Sequence, residues 1–429
     1  MTTQLFEADW VFPVDSPPIR GGAVAVAAGR VLALGAIADM RARHPGAHRI
    51  DLTGHTLLPG LVNAHTHLEL SDCTPGQPPP DGFTGWLVQM LTRTRIPNDQ
   101  LAGRSEHGVR QGIAQCLRYG VTTVGDISRQ CHITRPILRK SPLRVISYGE
   151  VMAMAQRRSL LQSRLDSAAD RACQSDRLRI GLTPHAPYSI EPDGYRACLQ
   201  RAIADSLPLA THLAESNVEA EFLASHSGPL RDLWDAWLTW DAHVPRYAGG
   251  PIRYARDLGL LDYPTLLAHV NYADDDELAI LAAGRASVVY CPRTHAFFAH
   301  PPHRFRDMLA RGINVAIGTD SCASSADLNL LDDLRLVHRL HPDFPMQILF
   351  AMATLNGAKA LGLAHEVGSL TPGKAADILA VPTSGPDPLR AILGSAIAVS
   401  HVYVAGQSVA HSPRVEALNI DRGFGGYAE

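Results

Sequence analysis

The chain has 429 residues, 46% of them apolar, and a net charge of −3 at pH 7. This length exceeds what a single hydrophobic core usually covers, so we expect one large domain and one smaller domain. The nearly balanced charge gives no reason to expect nucleic acid or an acidic membrane surface as a partner. The seven cysteines lack CxxC spacing, which argues against a zinc ribbon and a disulfide framework.

The N-terminal segment has no basic stretch followed by an apolar one, and no apolar run reaches the length of a bilayer span. We therefore expect a soluble, cytoplasmic protein. Its partner should be a small-molecule substrate, with no nucleic acid and no membrane involved.

Both ends of the chain have the pattern of short strands. Residues 1–56 alternate apolar and polar positions between glycine-bearing turns. The same pattern returns near the C-terminus in VGSLTPGKAADILAVPT and AVSHVYVAGQSVAHS. Two β-rich ends around a different middle predict a small composite β-sandwich domain, formed by residues 1–56 and 365–429.

Between residues 57 and 364, apolar runs of strand length recur and alternate with helical patterns. The runs are TLLPGLVNAHTH, GVTTVGDIS, LRVISYGEV, LRIGLTPHAPY, LPLATHLAES, PTLLAHVNYA, ASVVYCPRTH and INVAIGTDS. Strands that alternate with helices form a parallel sheet, and eight of them close a (β/α)8 TIM barrel. An open doubly wound sheet is the alternative, but no GxGxxG follows the first strand. We therefore predict an α/β protein with a barrel domain at 57–364.

The first barrel strand ends in an HxH pair, His65 and His67. Residues two apart on a strand share a face, so both imidazoles can bind one metal ion. An isolated HxH pair is more often incidental, but the other predicted strands also end in polar residues. These are Asp126, Glu150, His185, His212, His269, Arg293 and Asp320. In a barrel, this end of the strands carries the active site.

Four of these side chains suit one metal ion: His65, His67, His212 and Asp320. Three imidazoles and a carboxylate leave room for a water, which a divalent ion makes acidic enough to serve as hydroxide near neutral pH. We expect Asp320 to bind the metal and accept the proton of that water. The alternative for Asp320 is a helix N-cap, which is a common role for aspartate.

Glu215 follows His212 by three residues and would project into the same cavity if the strand ends at His212. There a carboxylic acid can protonate a ring nitrogen and pass a proton to a departing amine. The alternative is a solvated helical turn shared with Glu219. His269 ends the sixth strand, and we expect it to hydrogen-bond the attacking water or the substrate. Its alternative is an ordinary buried histidine of the core.

Five segments together resemble the amidohydrolase superfamily across nearly the whole chain: PGLVNAHTHLE, THLAES, LLAHVNYA, IGTDS and GSLTPGKAADILAV. Within the superfamily, the chain is similar to the deaminase and chlorohydrolase branch, which acts on amino-substituted heterocycles. The resemblance implies a (β/α)8 barrel with a composite β-sandwich. It also implies the metal ligands and the roles of Glu215 and His269 given above.

The same resemblance bears on the substrate and on the number of metal ions. TPHAPYS, residues 183–189, resembles the fourth-strand motif of the branch, which makes His185 a substrate contact. Relatives with two metals need a carbamylated lysine at the end of the fourth strand, and this strand contains none. The resemblance therefore implies one divalent ion. Zinc is the first choice, and iron and manganese accept the same ligands.

The seventh strand and its loop, YCPRTHAFFAHPPHRF, depart from the CPxSN-like motif of many nucleoside deaminases. We predict that Arg293 and His295 face an anionic or strongly polar group of the substrate, flanked by Phe297 and Phe298. The alternative for Arg293 is an ion pair with a barrel carboxylate such as Glu150.

HTHLELS and the GFTGWL loop together resemble enzymes that deaminate 6-aminodeoxyfutalosine, whose benzoate would suit Arg293. Glu69 and Trp86 are candidates for hydrogen bonding to the substrate and stacking on it, and each has a structural alternative. A second metal site built from the loop histidines, among them His300 and His303, is possible, but the prolines between these two and the absence of a carboxylate from YCPRTHAFFAHPPHRF argue against it.

We therefore predict a mononuclear metal-dependent deaminase, in which hydroxide attacks a purine-like heterocycle or nucleoside and ammonia is released. Hydrolysis of a cyclic amide or imine, or of a chlorinated heterocycle, is the alternative at the same site. Glu215 favours deamination, because an amine needs a proton donor to leave. A catalytically inactive interaction scaffold is the alternative of another class, but no metal ligand is missing. The helical faces of the barrel are available for a homodimer.

Overall fold

Segments from both ends of the chain form one seven-stranded sheet. The computed structural model describes residues 2–93, 97–383 and 385–409, so the predicted C-terminal segment 410–429 lies outside the described residues. The strands are β1 (Gln4–Val11), β2 (Ile19–Ala27), β3 (Arg30–Ala36), β4 (His48–Pro59), β13 (Ile378–Pro382), β14 (His401–Val404) and β15 (Gln407–Ser408). Their order is β15-β14-β13-β4-β1-β2-β3. The prediction of a small β unit built from both termini is confirmed.

Eight further strands form the predicted barrel. They are β5 (Leu61–Thr66), β6 (Val121–Ser128), β7 (Arg144–Val151), β8 (Leu178–Pro184), β9 (Leu209–Leu213), β10 (Thr265–His269), β11 (Ser287–Tyr290) and β12 (Asn314–Ile317). Each pairs in parallel with the next strand along the chain. A parallel bridge between Thr66 and Asp320 brings the last strand back to the first. The predicted α/β barrel is therefore confirmed.

Helices connect the strands; most of them cover the barrel, whereas α1 packs on the terminal sheet. They are α1 (Ile37–Arg43), α2 (Gly82–Arg93), α3 (Asn98–Arg118), α4 (Cys131–Leu138), α5 (Leu161–Ala169), α6 (Pro192–Asp205), α7 (Val218–Ser225), α8 (Pro229–Trp237), α9 (Gly250–Asp257), α10 (Asp275–Ala283), α11 (Pro292–Phe297), α12 (Phe305–Ala310), α13 (Leu330–Leu340), α14 (Met346–Met352), α15 (Leu355–Ala360) and α16 (Pro388–Gly394). Short 3₁₀ helices occupy Leu68–Leu70 and Ala155–Leu160. None of the described helices is both long and apolar enough to cross a membrane.

Helical periodicity explains how the covering layer attaches to the barrel. In α3, Val109, Ile113 and Leu117 lie four residues apart and therefore on one face. All three are fully buried and belong to the same apolar cluster as Val121 and Val124 of β6. Because β6 is covered on both faces, all of its residues are buried, the threonines and Asp126 included.

The two sheets meet at Gly60. Residues 57–59, which the sequence analysis assigned to the barrel, instead end β4 and pair with β13. A Cβ at Gly60 would lie 2.1 Å from Oγ1 of Thr122, so only glycine lets the chain pass from one sheet to the other this close to β6. The first barrel strand therefore starts at Leu61 and carries His65 near its carboxyl end.

Candidate metal centre and active site

The carboxyl ends of the barrel strands bring together most of the side chains that the sequence singles out. His65 belongs to β5 and His67 follows it, while His212 lies in β9 and His269 ends β10. Asp320 follows β12, and its backbone N–H donates to the carbonyl oxygen of His65 across 3.1 Å. Because parallel strands present their carboxyl ends at one rim, residues that are far apart in the chain become neighbours here.

The four predicted ligands converge. Nε2 of His65 and Nε2 of His67 lie 3.5 and 3.4 Å from Oδ1 of Asp320. Nε2 of His212 lies 3.3 Å from Nε2 of His67. His65, His212 and His269 form a second group whose ligand atoms all lie within 4.8 Å of one another. This donor set, with several imidazoles and one carboxylate, is the kind that divalent zinc or iron prefers.

Buried nitrogens without partners support the same conclusion. Within the described structure, both ring nitrogens of His65 and Nε2 of His269 are buried and accept or donate no hydrogen bond. A buried polar atom without a partner costs about 1–3 kcal/mol, so such atoms usually have a ligand to satisfy them. The residues therefore fit one divalent metal ion, as the sequence predicts.

Neighbouring groups orient these ligands. Nδ1–H of His212 donates to the carbonyl oxygen of His185 across 3.1 Å, which leaves the lone pair of Nε2 facing the cluster. The hydroxyl of Ser324 donates to Oδ2 of Asp320 across 3.2 Å and leaves Oδ1 toward the histidines. Asp320 itself has a left-handed backbone with φ of 58°, as does His269 with φ of 73°. Non-glycine residues rarely adopt this conformation, and it is typical of active sites.

Burial favours the neutral form of His67, His212 and His269. It lowers the pKa of His67 to about 4 and that of His269 to about 3, and it lowers the pKa of His212 well below the usual value. Burial alone would raise the pKa of Asp320, but the nearby His65 and His269 hold it below its usual value. The site thus combines neutral imidazoles with an ionised carboxylate, which are the protonation states that metal binding requires.

The carboxyl group of Glu215 has a raised pKa, in contrast to that of Asp320. Its Oε1 lies 3.5 Å from Nε2 of His269, and the hydroxyl of Tyr188 donates to Oε2 across 3.5 Å. Burial raises the pKa of Glu215 well above its usual value, and the negative charges of Asp320 and Glu219 raise it further. A carboxyl group in this environment keeps its proton near neutral pH and can donate it.

Comparison with known proteins agrees with this geometry. The sequence pattern of the amidohydrolase family matches residues 56–409. The chain belongs to the amidohydrolase family. The expected hydrolytic enzyme, the barrel fold and the family resemblance are thereby confirmed.

Two relatives and one solved structure show how far the similarity extends. The amidohydrolase is 27% identical to 5-methylthioadenosine/S-adenosylhomocysteine deaminase of Syntrophobacter fumaroxidans, over 93% of this chain and 90% of the relative. It is 29% identical to aminodeoxyfutalosine deaminase of Deinococcus radiodurans, over 80% of this chain and 81% of the relative. An adenosine deaminase from Xanthomonas campestris, solved with bound zinc, superimposes with a TM-score of 0.78 at 23% identity, over 95% of this chain and 92% of that one.

Glu219 holds the turn that carries Glu215. Its carboxylate accepts the backbone N–H groups of Ala214, Glu215 and Ser216 at 3.0, 2.6 and 3.0 Å. Ala214 has a left-handed backbone with φ of 50°, so these hydrogen bonds fix a strained turn just beyond β9. In the alternative considered for Glu215, Glu219 was its neighbour in a solvated helical turn, and the burial of both glutamates contradicts that alternative. The spacing of four residues between Glu215 and Glu219 was the available signal, but it does not tell which backbone groups Glu219 binds.

We expect Glu219→Gln to lower kcat about tenfold to a hundredfold, because a glutamine must turn an N–H toward one of these backbone donors and will displace Glu215. Steady-state kinetics should show KM changed by less than about threefold, since Glu219 has no contact with the predicted substrate residues. The matched control is Glu221→Gln, which changes an exposed residue of the same helix. If both variants have equal kcat, Glu219 does not position Glu215.

The predicted substrate contacts His185 and Trp86 lie at the mouth of the barrel. Nδ1 of His185 lies 2.7 Å from the hydroxyl of Ser189, and its ring centroid is 4.9 Å from that of His212. Trp86 lies on α2, and its indole N–H donates to the carbonyl oxygen of Ala323 across 3.1 Å. The ring of Trp86 stacks on Phe83 at 6.0 Å. Trp86 therefore belongs to an aromatic wall beside the site, and its stacking on substrate stays a prediction.

The other predicted substrate contacts form hydrogen bonds or ion pairs with groups of the protein itself. Arg293 binds carboxylates of the loop and helix after β12: Nη1 donates to Asp327 across 2.7 Å and Nε to Asp333 across 3.0 Å. This geometry favours the ion-pair alternative for Arg293, with these two aspartates in place of Glu150. The pairing arises because α11 and α13 pack side by side, a contact that the sequence pattern does not reveal.

Glu69 and His295 also have internal partners. The two oxygens of Glu69 accept the backbone N–H groups of Arg129 and Gln130, at the start of α4, at 3.1 and 3.2 Å. Nε2–H of His295 donates to the carbonyl oxygen of Pro301 across 2.9 Å. Both contacts favour the structural alternatives. Their roles in substrate binding remain predictions.

His303, which had no predicted role, contacts the backbone of the site residue His269. Nε2–H of His303 donates to the carbonyl oxygen of His269 across 2.9 Å, and its ring stacks on Tyr290 with centroids 4.1 Å apart. This contact supports the left-handed backbone of His269. Among the described residues, no metal-ligating group includes His295, His300 or His303.

Proposed function

We propose that this amidohydrolase is a deaminase of adenosine-like compounds, which replaces the exocyclic amino group of the purine with a carbonyl oxygen and releases ammonia. One observation carries the proposal: the ligand atoms of Glu215, His269 and Asp320 lie within 4.8 Å of one another. Burial raises the pKa of Glu215 well above its usual value, while neighbouring histidines hold the pKa of Asp320 below its usual value. An acid and a base on either side of one point are what hydrolytic deamination needs. The deaminases among the relatives support the proposal.

The residues divide the proton transfers between them. His65, His67, His212 and Asp320 would hold a divalent ion, which when bound would supply a water of near-neutral pKa. Asp320 accepts one proton from the attacking water, and His269 faces that water through Nε2. Glu215 gives its proton to the ring nitrogen beside the carbon that carries the amino group, and a C–O bond forms.

The second half of the reaction uses the same two carboxylates. Glu215, now ionised, takes the remaining hydroxyl proton and passes it to the amine. The C–N bond breaks, ammonia leaves and a ring carbonyl remains. The proton that Asp320 took from the water then passes to Glu215, which restores the starting protonation states of both carboxyl groups. Loss of a halide would not need this donor, because chloride leaves without a proton.

We propose 6-aminodeoxyfutalosine as the specific candidate among adenosine-like substrates. The resemblance of the HTHLELS and GFTGWL segments supports this candidate, as does the similarity to the Deinococcus enzyme. Arg293 is committed to Asp327 and Asp333, so another cation must face a substrate carboxylate. Burial lowers the pKa of His185 and raises that of Glu69 to about 7, and the positive charge of the exposed Arg129 acts on both groups at the barrel mouth. We therefore propose that Arg129 takes this role.

The test is ammonia release by the metal-loaded protein from a panel of compounds. The panel contains 6-aminodeoxyfutalosine, 5-methylthioadenosine, S-adenosylhomocysteine, 5′-deoxyadenosine, guanine and an aminotriazine. We expect release from at least one adenosine-like compound and none from that compound with Glu215→Gln. If a protein with a full complement of metal releases no ammonia from any of them, deamination is excluded, and cyclic amides, imines and chlorinated heterocycles come next.

Metal identity and assembly are further parts of the proposal. We propose zinc as the resident ion, supported by the nitrogen-rich ligand set and by the zinc in the Xanthomonas structure. Elemental analysis of the purified protein tests it.

We also propose a homodimer and a cytoplasmic location, which light scattering and cell fractionation test.

A further inference from the structure

An open cavity of about 600 Å³ lies at the end of the barrel opposite the metal ligands. The amino ends of β7 and β8, the residues just before β9 and part of the terminal sheet surround it. Its arginines are Arg30, Arg144, Arg171, Arg177 and Arg179. We call this space the basic cavity. Nothing in the proposed reaction uses it.

Ion pairs within the protein balance only part of this positive charge. Glu366 lies 3.2 Å from a guanidinium nitrogen of Arg30 and 3.5 Å from one of Arg144. Arg144, which is nearly buried, also pairs with Asp377 across 3.1 Å. The lining carboxylate of Asp205 pairs with Arg201 on the same helix. Arg30 and Arg144 are thus neutralised by the protein itself.

The other three arginines have no carboxylate partner within residues 2–93, 97–383 and 385–409. Arg171 donates to the backbone carbonyl of Asp205, and Arg177 donates to that of Pro142 across 3.5 Å. The exposed side chain of Arg179 has no hydrogen bond or ion pair in these segments, although its backbone pairs with β7. Asp176 is the one lining carboxylate without a described arginine partner. The basic cavity therefore has a surplus of two positive charges.

Two uncharged side chains of the cavity can also donate hydrogen bonds to a ligand. The hydroxyl oxygen of Ser175 accepts the backbone N–H of Leu178 across 3.1 Å, so its own proton is available to a ligand. The side-chain amide of Gln174 lines the same wall. Arginine forks combined with hydroxyl and amide donors are typical of sites that bind phosphate oxygens.

We propose that the basic cavity binds a phosphate group, either as inorganic phosphate or as the phosphomonoester of a small metabolite. A phosphate dianion matches the surplus of two charges. The volume of the cavity also leaves room for a group the size of a sugar beside the phosphate. Phosphate is the proposed ligand because three arginines of the cavity have no carboxylate partner among the described residues. Each such guanidinium group can bind two oxygens of one phosphate at once. The site is separate from the deaminase centre and does not depend on it.

Calorimetric titration of the metal-loaded enzyme at constant ionic strength tests the proposal, with inorganic phosphate, ribose 5-phosphate and AMP as probes. We expect Arg177→Gln with Arg179→Gln to weaken the binding of at least one probe about tenfold or more. The control is Arg285→Gln with Arg339→Gln, which removes two exposed arginines elsewhere and should leave affinity within about twofold.

The outcomes separate the two sources of phosphate. Variant-sensitive binding of inorganic phosphate identifies a free anion as the ligand. Variant-sensitive binding of only ribose 5-phosphate or AMP identifies a phosphorylated metabolite. The proposal is overturned if no probe binds, or if the double variant and the control bind every probe equally. Thermal melting of both double variants without ligand confirms that they are folded.

Discussion

Glu215→Gln is expected to lower kcat about 10³-fold, within the range that a positioned acid–base group contributes. Glutamine has the size of glutamate and can still accept the hydrogen bond from Tyr188, but it cannot donate a proton to the ring nitrogen. KM should stay within about threefold of the wild-type value, because the substrate loses no ground-state contact. Ammonia release under single-turnover conditions measures the step directly.

Metal content distinguishes this role from metal binding. The oxygens of Glu215 lie close enough to His269 and Asp320 for all three to bind one ion. If Glu215 is the proton donor, the glutamine variant should retain the metal content of the wild type. A variant that loses its metal would identify Glu215 as a ligand, and a kcat within tenfold of wild type would remove it from the reaction.

Asp320→Asn is expected to abolish activity, with a loss of about 10³-fold or more, and to lower the amount of bound metal. The exchange removes the one negative charge among the four ligands and the base that accepts the proton of the water. Asparagine tolerates the left-handed backbone found at this position, so the fold should persist. Its amide oxygen can also accept the hydrogen bond from Ser324.

Three readings together test the aspartate variant: metal per chain, ammonia release and thermal melting. Asp343→Asn is the control, because Asp343 is exposed and its ion pair is with Arg306 rather than with any of the candidate ligands. A normal metal content combined with normal activity in Asp320→Asn would contradict the ligand assignment. Normal metal with lost activity would leave Asp320 as a base alone.

The barrel was predictable because its strands are covered on both faces. In β10, TLLAH, every residue is buried, so the short apolar run marks the strand without any knowledge of its neighbours. The convergence of the four candidate metal ligands was predictable for a related reason. A polar side chain at the end of such a run has only the rim of the barrel to occupy, and parallel strands share one rim.

The loops were less predictable, because their partners come from distant parts of the chain. Arg293 follows a strand end just as His212 does, yet its guanidinium turns to Asp327 and Asp333. Glu69 follows the HxH pair, yet its oxygens bind backbone at the start of α4. In both cases the sequence gives the position of the residue, and packing between helices decides the direction of the side chain.

Glu219 illustrates what local patterns omit. A glutamate in the first turn of a helix is typical of a solvated position that interacts with the helix dipole. Here the turn before the helix folds back, and the carboxylate is fully buried against three backbone N–H groups. The left-handed conformation of Ala214 makes this arrangement, and alanine gives no sequence signal for it.

The bridge between Thr66 and Asp320 has a consequence for how the protein is made. His65 and His67 leave the ribosome early and Asp320 late, so the last ligand arrives only when the eighth strand docks against the first. A metal ion that binds residues of both the first and the eighth strand would stabilise the closed barrel relative to any opened form, because only the closed barrel brings these residues together. Metal uptake should therefore be among the final events of folding. The strand pairing of β4 with β13 must wait longer still, until the C-terminal segment has been synthesised.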